Sequence, residues 1–263
     1  IYDDEIYFHG ELAVVELNGQ CGLINKDGES VISSEYDDID ILDDVALIRV
    51  EKENLFGYMN YNGSFVVPCT YDCGPFYPND ADFEDGLGIV SLNNKCGAIN
   101  TKGELVIPCV YDGLWQFHEG YARVLQKGDW RSGSKYGLIN TLGEIVISCE
   151  YDRVRDFRNG FALVQKNGKW GAVNTSGEIV VPCKYSSMSS FSDGVARISN
   201  GKTNGYVNTN GVEIVPCEYD VVSDYFRLGL CVGVRNGKKY LFNTDGVIII
   251  SDFHGTIYWS TMY

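Results

Sequence analysis

No run of apolar residues approaches the ~18 that a bilayer-spanning helix requires, and the start carries no basic stretch followed by an apolar core of the kind a signal peptide has. Histidine occurs only three times in 263 residues, which leaves little material for imidazole acid-base or metal chemistry. Positive charge is also short. The 21 Lys and Arg face 36 Asp and Glu, a formal net charge of -15, and such a field repels nucleic-acid phosphates and anionic lipid surfaces. No nucleophile elbow, phosphate loop, H-E-x-x-H or dinucleotide fingerprint is present, so the chain is expected not to be an enzyme and to need no cofactor. Helical periodicity is absent throughout.

Apolar residues make up 44% and aromatic residues 13%, with 18 tyrosines, so the composition is that of a folded chain. It is also periodic. Asn25, Asn60, Asn100, Asn140, Asn174, Asn208 and Asn243 lie 35, 40, 40, 34, 34 and 35 residues apart, each followed three residues later by glycine. Glycine also stands three residues before each of them, except in the last copy, which has Tyr240. Nine residues after five of these asparagines comes Cys69, Cys109, Cys149, Cys183 or Cys217, and two further on a tyrosine. Tyr2, Tyr36, Tyr71, Tyr111, Tyr151, Tyr185 and Tyr219 open seven copies of one unit, a period that signals a solenoid, propeller or similar array.

Each unit reads as three short strands. The first alternates, as in FHEGYARV and FRNGFALV; the second is of the type YGLIN; the third, as in ELVIPCVY, is rich in β-branched residues. Between the second and third, Asn-x-x-Gly is a hairpin turn. Asn60, Asn100, Asn140, Asn174 and Asn208 suit the first position of a type I turn, and Gly63, Gly103, Gly143, Gly177 and Gly211 supply the positive φ of the bulge that follows. Alternation places Leu105, Ile107, Cys109 and Tyr111 on one face of the third strand, with Val106, Pro108 and Val110 on the other. Pro68, Pro108, Pro182 and Pro216 cannot donate to a ladder, so this strand is expected to be an edge or to bulge there, and an edge proline blocks pairing between molecules. The fold expected is all-β, seven tandem three-stranded antiparallel repeats in an open superhelical stack, with a closed seven-bladed β-propeller as the alternative.

The unit KNGKWGAVNTSGEIVVPCKY, preceded by FRNGFALV, resembles the WG repeat family of bacterial β-repeat proteins. The resemblance runs from Tyr2 to about Asp252 and rests on the combined phase of the turn, the Val-x-Pro strand and the Phe-x-x-Gly-x-Ala run. The naming tryptophan is kept only at Trp170; Cys21, Phe56, Cys96, Tyr136, Asn204 and Lys239 stand there elsewhere. The resemblance implies a repetitive β-structure with an interaction role, often beside other domains, and no catalytic residues.

Repeat-locked positions read as scaffold. The cysteines lack the close pairing of zinc ligands and fit buried thiols in a reducing, cytoplasmic setting, so no metal is expected. His9 and His118 share a turn position that Arg158 and Ser192 fill in other copies. Asp3, Asp37, Asp72, Asp112, Asp152 and Asp220 after the opening tyrosine are expected to close local Asx-type turns, with Ser186 doing so in one copy. Asp80, Asp82, Glu84 and Asp85 crowd one loop but lack the spacing of a calcium-binding loop.

Insertions point to function, because a repeat tolerates extra residues only in loops. Residues 71 to 83 hold one, with Phe76, Tyr77, Asp80 and Asp82; residues 122 to 137 hold another, with Asp129, Trp130 and Arg131. Aromatic and arginine side chains make strong anchors. Residues 1–252 are read as one repeat array and 253–263 as a cap, with Tyr258 and Trp259 over the last repeat. The start at Ile1, in phase with the repeat, suggests a processed or excised part of a larger protein. The function expected is a scaffold for a protein partner, within a larger recognition or regulatory system; the alternative is a glycan or cell-wall binding module using surface aromatics.

Overall fold

The computed structural model describes Tyr2 and residues 6–72, 83–127 and 133–254. Among them the structure is all-β, with a single 3₁₀ turn at Asp43–Val45. All seven repeats are present, each with the three strands expected. First strands are Leu12–Leu17, Leu47–Lys52, Leu87–Leu92, Tyr121–Lys127, Phe161–Lys166, Val195–Ser199 and Leu230–Arg235. Second strands are Gln20–Asn25, Leu55–Asn60, Lys95–Asn100, Ser134–Asn140, Lys169–Asn174, Asn204–Asn208 and Lys238–Asn243. Third strands are Ser30–Tyr36, Phe65–Asp72, Leu105–Tyr111, Ile145–Tyr151, Ile179–Tyr185, Glu213–Tyr219 and Ile248–Phe253, most of them running into the tyrosine that opens the next repeat. A short strand is added ahead of the three in most repeats; Arg153–Val154, for instance, pairs Gln165 and Val164. The chain divides into two compact bodies, Ile1–Ser134 with Leu138–Ile145, and Lys135–Gly137 with Val146–Tyr263.

The turn chemistry is as the sequence predicts. In the fifth repeat the Asn174 side-chain oxygen accepts from the N–H groups of Ser176 (3.1 Å) and Glu178 (2.9 Å), and Gly177 N–H donates to the Asn174 carbonyl at 3.0 Å. The Asn174 amide also donates to Glu178 at 2.9 Å. In five repeats the first and second strands meet through two-residue turns with both residues at positive φ, such as Asn167 (53°) and Gly168 (72°). That twist matches the strands it joins.

The third strand is an edge in its sheet in every repeat but the second, where Asp72 also pairs Ser91 of the third repeat, and it bulges at the proline. Trp170 pairs Tyr185 and Ala172 pairs Val181, so two residues of the second strand face four of the third. The bulged backbone folds over Gly171, where a β-carbon would stand 2.8 Å from the Cys183 nitrogen and 2.9 Å from the Pro182 carbonyl carbon. With no side chain at Gly171, the Cys183 thiol reaches across the second strand and donates to the Val164 carbonyl at 3.7 Å; Cys217 does the same to Ile198 at 3.8 Å. Face alternation holds for Ile107 and Tyr111, which are buried, and for Cys109, which is half-buried. Leu105 departs from it and is about half exposed, because a second register shift, between Ala98–Ile107 and Ile99–Leu105, turns the strand's first residue outward.

The core lies between successive repeats. Leu163, Ala172, Val181 and Tyr185 of the fifth pack with Met188, Phe191, Ala196, Ile198 and Val207 of the sixth. The opposite face of the sixth, with Val195, Tyr206 and Val215, packs with Phe226, Cys231 and Phe242 of the seventh. The sheet of the sixth repeat is therefore buried on both faces by its neighbours. The turn glycine completes each junction. A β-carbon on Gly103 would come within 2.8 Å of the Val66 carbonyl in the preceding repeat, and one on Gly143 within 3.3 Å of the Ile107 side chain. Gly63, Gly177, Gly211 and Gly246 sit still closer to the carbonyls of Val31, Val146, Val180 and Ile214.

The repeated aspartate corrects the expectation of a local turn. Asp112 accepts from Lys127 N–H, 15 residues on, at 2.9 Å, and Asp220 from Asn236 N–H at 2.9 Å, so each ties its own repeat opening to the hairpin beyond. Lys95 also donates to Asp112 at 2.8 Å. These bonds hold the Asp112 carboxyl below the usual carboxylate range, the lysine contributing most.

Candidate binding surface in the seventh repeat

The loop between Tyr219 and the first strand of the seventh repeat departs from its counterparts by one residue. Phe117, Phe157 and Phe191 each follow their opening tyrosine by six residues, whereas Phe226 follows Tyr219 by seven. All four phenylalanines are buried at junctions, so the extra residue has to be accommodated outside. Both sides of the insertion are fastened. Ser223 N–H donates to the Val232 carbonyl at 2.9 Å, Val232 N–H returns to the Ser223 hydroxyl at 3.0 Å, and the Tyr206 hydroxyl donates to the Ser223 carbonyl. Burial pushes the Tyr206 phenol well above its ordinary value, so it remains a donor. On the other side, the Phe226 ring meets Tyr206 edge to face at 4.8 Å. Tyr225 is squeezed out between these anchors and is 63% exposed.

Two residues further, reciprocal bonds between Arg227 and Leu230 (2.8 and 3.0 Å) enclose a turn of Leu228 and Gly229, with φ of 50° and 75°. Glu119, Asn159 and Asp193 occupy that left-handed position in the preceding three repeats. A leucine there carries backbone strain, and it is 81% exposed. Tyr225 borders a depression of about 280 Å³ lined also by Ser223, Asp224, Arg227 and Leu230. Asp224 is fixed in place by Arg197 of the sixth repeat at 2.6 Å.

The inserted loops singled out in the sequence, with Phe76, Tyr77, Asp80 and Asp82 and with Asp129, Trp130 and Arg131, lie outside the described residues. Tyr258 and Trp259 of the expected cap also lie outside them. Asn60, Gly63, Asn100, Gly103, Asn140, Gly143, Asn174, Gly177, Asn208 and Gly211 form turns as expected. His118 lies in the turn position assigned to it, its backbone bonded to Tyr121. The described cysteines are free thiols, and burial pushes Cys231 up to about 12. Among the described residues no group of three or more His, Cys, Asp or Glu is gathered as metal ligands would be. Tyr225 and Leu228 were not singled out by sequence reasoning, although the seven-residue Tyr219 to Phe226 interval carried the signal.

No curated protein matches the chain. Among solved structures it is similar to a eukaryotic initiation factor, at 9% identity and a TM-score of 0.37 over 92% of this chain and 74% of the other. It is also similar to Hsv2p of Kluyveromyces lactis, at 13% identity and a TM-score of 0.32 over 91% and 92%. The model of the WG containing repeat matches residues 22–55, 56–76, 97–130, 136–170, 170–203 and 205–240. With most of its length matched in the phase of its strands and turns, the chain belongs to the WG containing repeat family.

Proposed function

We propose that the chain is a non-enzymatic scaffold that holds a protein partner, with the loop at Tyr225 and Leu228 as a contact surface. One observation carries this reading: the seventh repeat exposes two large apolar side chains at the points where it breaks the repeat, and one of them sits in strained backbone. Strain and exposed apolar area both work against a solitary fold, and a partner that buries them relieves the second cost. The inserted segments with Phe76, Tyr77 and Trp130 belong to the same reading as further contacts.

Leu228→Asn tests it. Asparagine accepts the left-handed conformation, so the variant is expected to gain about 1 kcal/mol of stability while losing partner capture in proximity cross-linking, as Tyr225→Ala also does. Unchanged capture with Leu228→Asn, Tyr225→Ala, Trp130→Ala and deletion of residues 75–82 combined refutes the scaffold reading. A glycan-binding alternative draws on the Tyr225 ring beside Ser223 and Asp224, a platform suited to stacking on a sugar face. Leu228 favours the protein partner, because an aliphatic side chain offers a sugar neither stacking nor hydrogen bonds. A glycan array on which binding depends on Tyr225 and not on Leu228 would reverse that preference.

A further inference from the structure

The turn between second and third strands sets two side chains of each repeat outward. At the second residue after the turn asparagine, six repeats carry Asp27, Asn62, Lys102, Ser176, Asn210 or Asp245, all polar, as suits a solvated turn. The fourth repeat has Leu142 there, 70% exposed, with its N–H donating to the Asn140 side-chain oxygen at 3.0 Å. At the fifth residue after the asparagine, the register shift beside the turn rotates the side chain out of the core, so the fold asks for nothing apolar. The first and sixth repeats place Ser30 and Glu213 there. The second to fifth place Phe65, Leu105, Ile145 and Ile179, which are 49 to 65% exposed.

Phe65, Leu105, Leu142 and Ile145 belong to one compact body and to internal repeats, each with a repeat before it and a repeat after it. The seats between repeats bring them together. The turn at Gly103 rests on the Val66 carbonyl, which puts it beside Phe65. The turn at Gly143, with Leu142, rests on the Ile107 side chain and the Val106 carbonyl, beside Leu105. Glu104 and Glu144, both exposed, alternate with the apolar residues along this row. Each is held by its turn asparagine, whose amide donates to the glutamate Oε2, at 2.7 Å from Asn100 and 2.6 Å from Asn140. The amide is neutral, so both carboxylates keep their charge in fixed positions, and Lys102 is the one cation in the two turns.

We infer that this row docks a basic segment of a partner protein, which sets aliphatic side chains on Leu105, Leu142 and Ile145 and Lys or Arg side chains on Glu104 and Glu144. Charge complementarity identifies the occupant. The two carboxylates stand in a chain of net charge -15, whose field repels nucleic acid, anionic lipid and a second copy alike and attracts a cationic segment. The aliphatic residues require apolar side chains in that segment as well, because a purely cationic one would leave them wet. This surface rests on the scaffold reading, in that its occupant is a protein, yet it uses no residue of the loop at Tyr225 and Leu228.

Random dodecapeptides displayed on phage and selected against the full chain test this. The bound pool is expected to be enriched in sequences that carry both Lys or Arg and Leu, Ile or Val. Fluorescence anisotropy with an enriched peptide then reads the variants. Leu142→Ser and Ile145→Ser install residues that other repeats hold at the same positions, Ser176 and Ser30, so the fold tolerates them. Together they are expected to weaken binding about tenfold or more. Glu104→Gln and Glu144→Gln, which change almost no volume, are each expected to weaken it roughly two- to fivefold and to flatten its salt dependence. A selection without enrichment, a pool without basic residues, or binding that the serine and glutamine variants leave unchanged overturns the inference. Binding that Tyr225→Ala and Leu228→Asn abolish and the serine variants keep overturns it too, and leaves the scaffold reading standing.

Discussion

Replacing Gly28 and Gly211 by alanine separates what a turn glycine does for its own backbone from what it does for the junction. The two have nearly the same φ, 78° and 77°, so an L side chain costs both about 1–2 kcal/mol of left-handed strain. Roughly 0.5–1 kcal/mol of that is offset by the lower entropy of the unfolded chain. At Gly28 nothing more is lost, since its β-carbon would point into open space among the described residues. At Gly211 the new methyl meets the Val180 carbonyl inside van der Waals contact, and forcing a packed junction apart adds about 1–3 kcal/mol. Gly28→Ala is therefore expected to cost about 1 kcal/mol and Gly211→Ala about 2–4 kcal/mol. Urea unfolding followed by circular dichroism reads both. Costs equal to within about 0.5 kcal/mol would refute the claim that the glycine is selected by the neighbouring repeat as well as by φ.

Acid should act on the aspartate links. Because the folded-state pKa of Asp112 lies below its unfolded value, the bond to Lys95 and Lys127 contributes fully above the ordinary aspartate range, about pH 4, and is lost as pH falls through the lowered folded value. Asp112→Asn is expected to flatten the fall of melting temperature across that acid window; an unchanged slope would count against the link. For Cys231, burial and the upward shift to about 12 predict no alkylation by iodoacetamide at pH 8 in the folded chain, with labelling only after urea unfolds the seventh repeat. Peptide mass spectrometry distinguishes it from the half-buried Cys183.

The parts of this fold that were readable in advance are those whose chemistry is local. Asn174 and Gly177 are three residues apart and satisfy each other, so their spacing states a turn by itself. Tyr185, Val181 and the bulge at Pro182 follow from alternation and from the missing proline N–H. The two-residue strand Arg153–Val154 was not readable, because its pairing with Val164 and Gln165 exists only after the fold closes. The same holds for Asp112 and Asp220, whose partners are 15 and 16 residues away. At the candidate surface the signal was an interval longer by one. It was legible only against three loops of fixed length, and nothing in the residue types of Tyr225 and Leu228 marks them as exposed.

Of the two residues that name the family, the glycine constrains this chain far more than the tryptophan. The first position is occupied by Cys21, Phe56, Cys96, Tyr136, Trp170, Asn204 or Lys239, and it tolerates this range because its neighbours are side chains that can adapt. Arg155 lies over the Trp170 ring at 5.0 Å and Arg49 over Phe56 at 4.3 Å, while Arg197 bonds to the Asn204 amide oxygen at 3.2 Å. The second position faces backbone, which cannot adapt, and glycine fills it in six repeats. Tyr240 in the seventh shows the consequence. Lys239 pairs Phe253 and Leu241 pairs Ile250, so two residues face three, where the first, second, third, fifth and sixth repeats set two against four. The ring at 240 packs beside Tyr219 at 5.6 Å instead of lying under a bulge. One residue of the bulge is thereby deleted, and Phe253 takes the place opposite the second strand that tyrosine holds in the other repeats. The strand that results has neither proline nor a full bulge to interrupt it, and it leaves Ile248, Ile249 and Ile250 exposed.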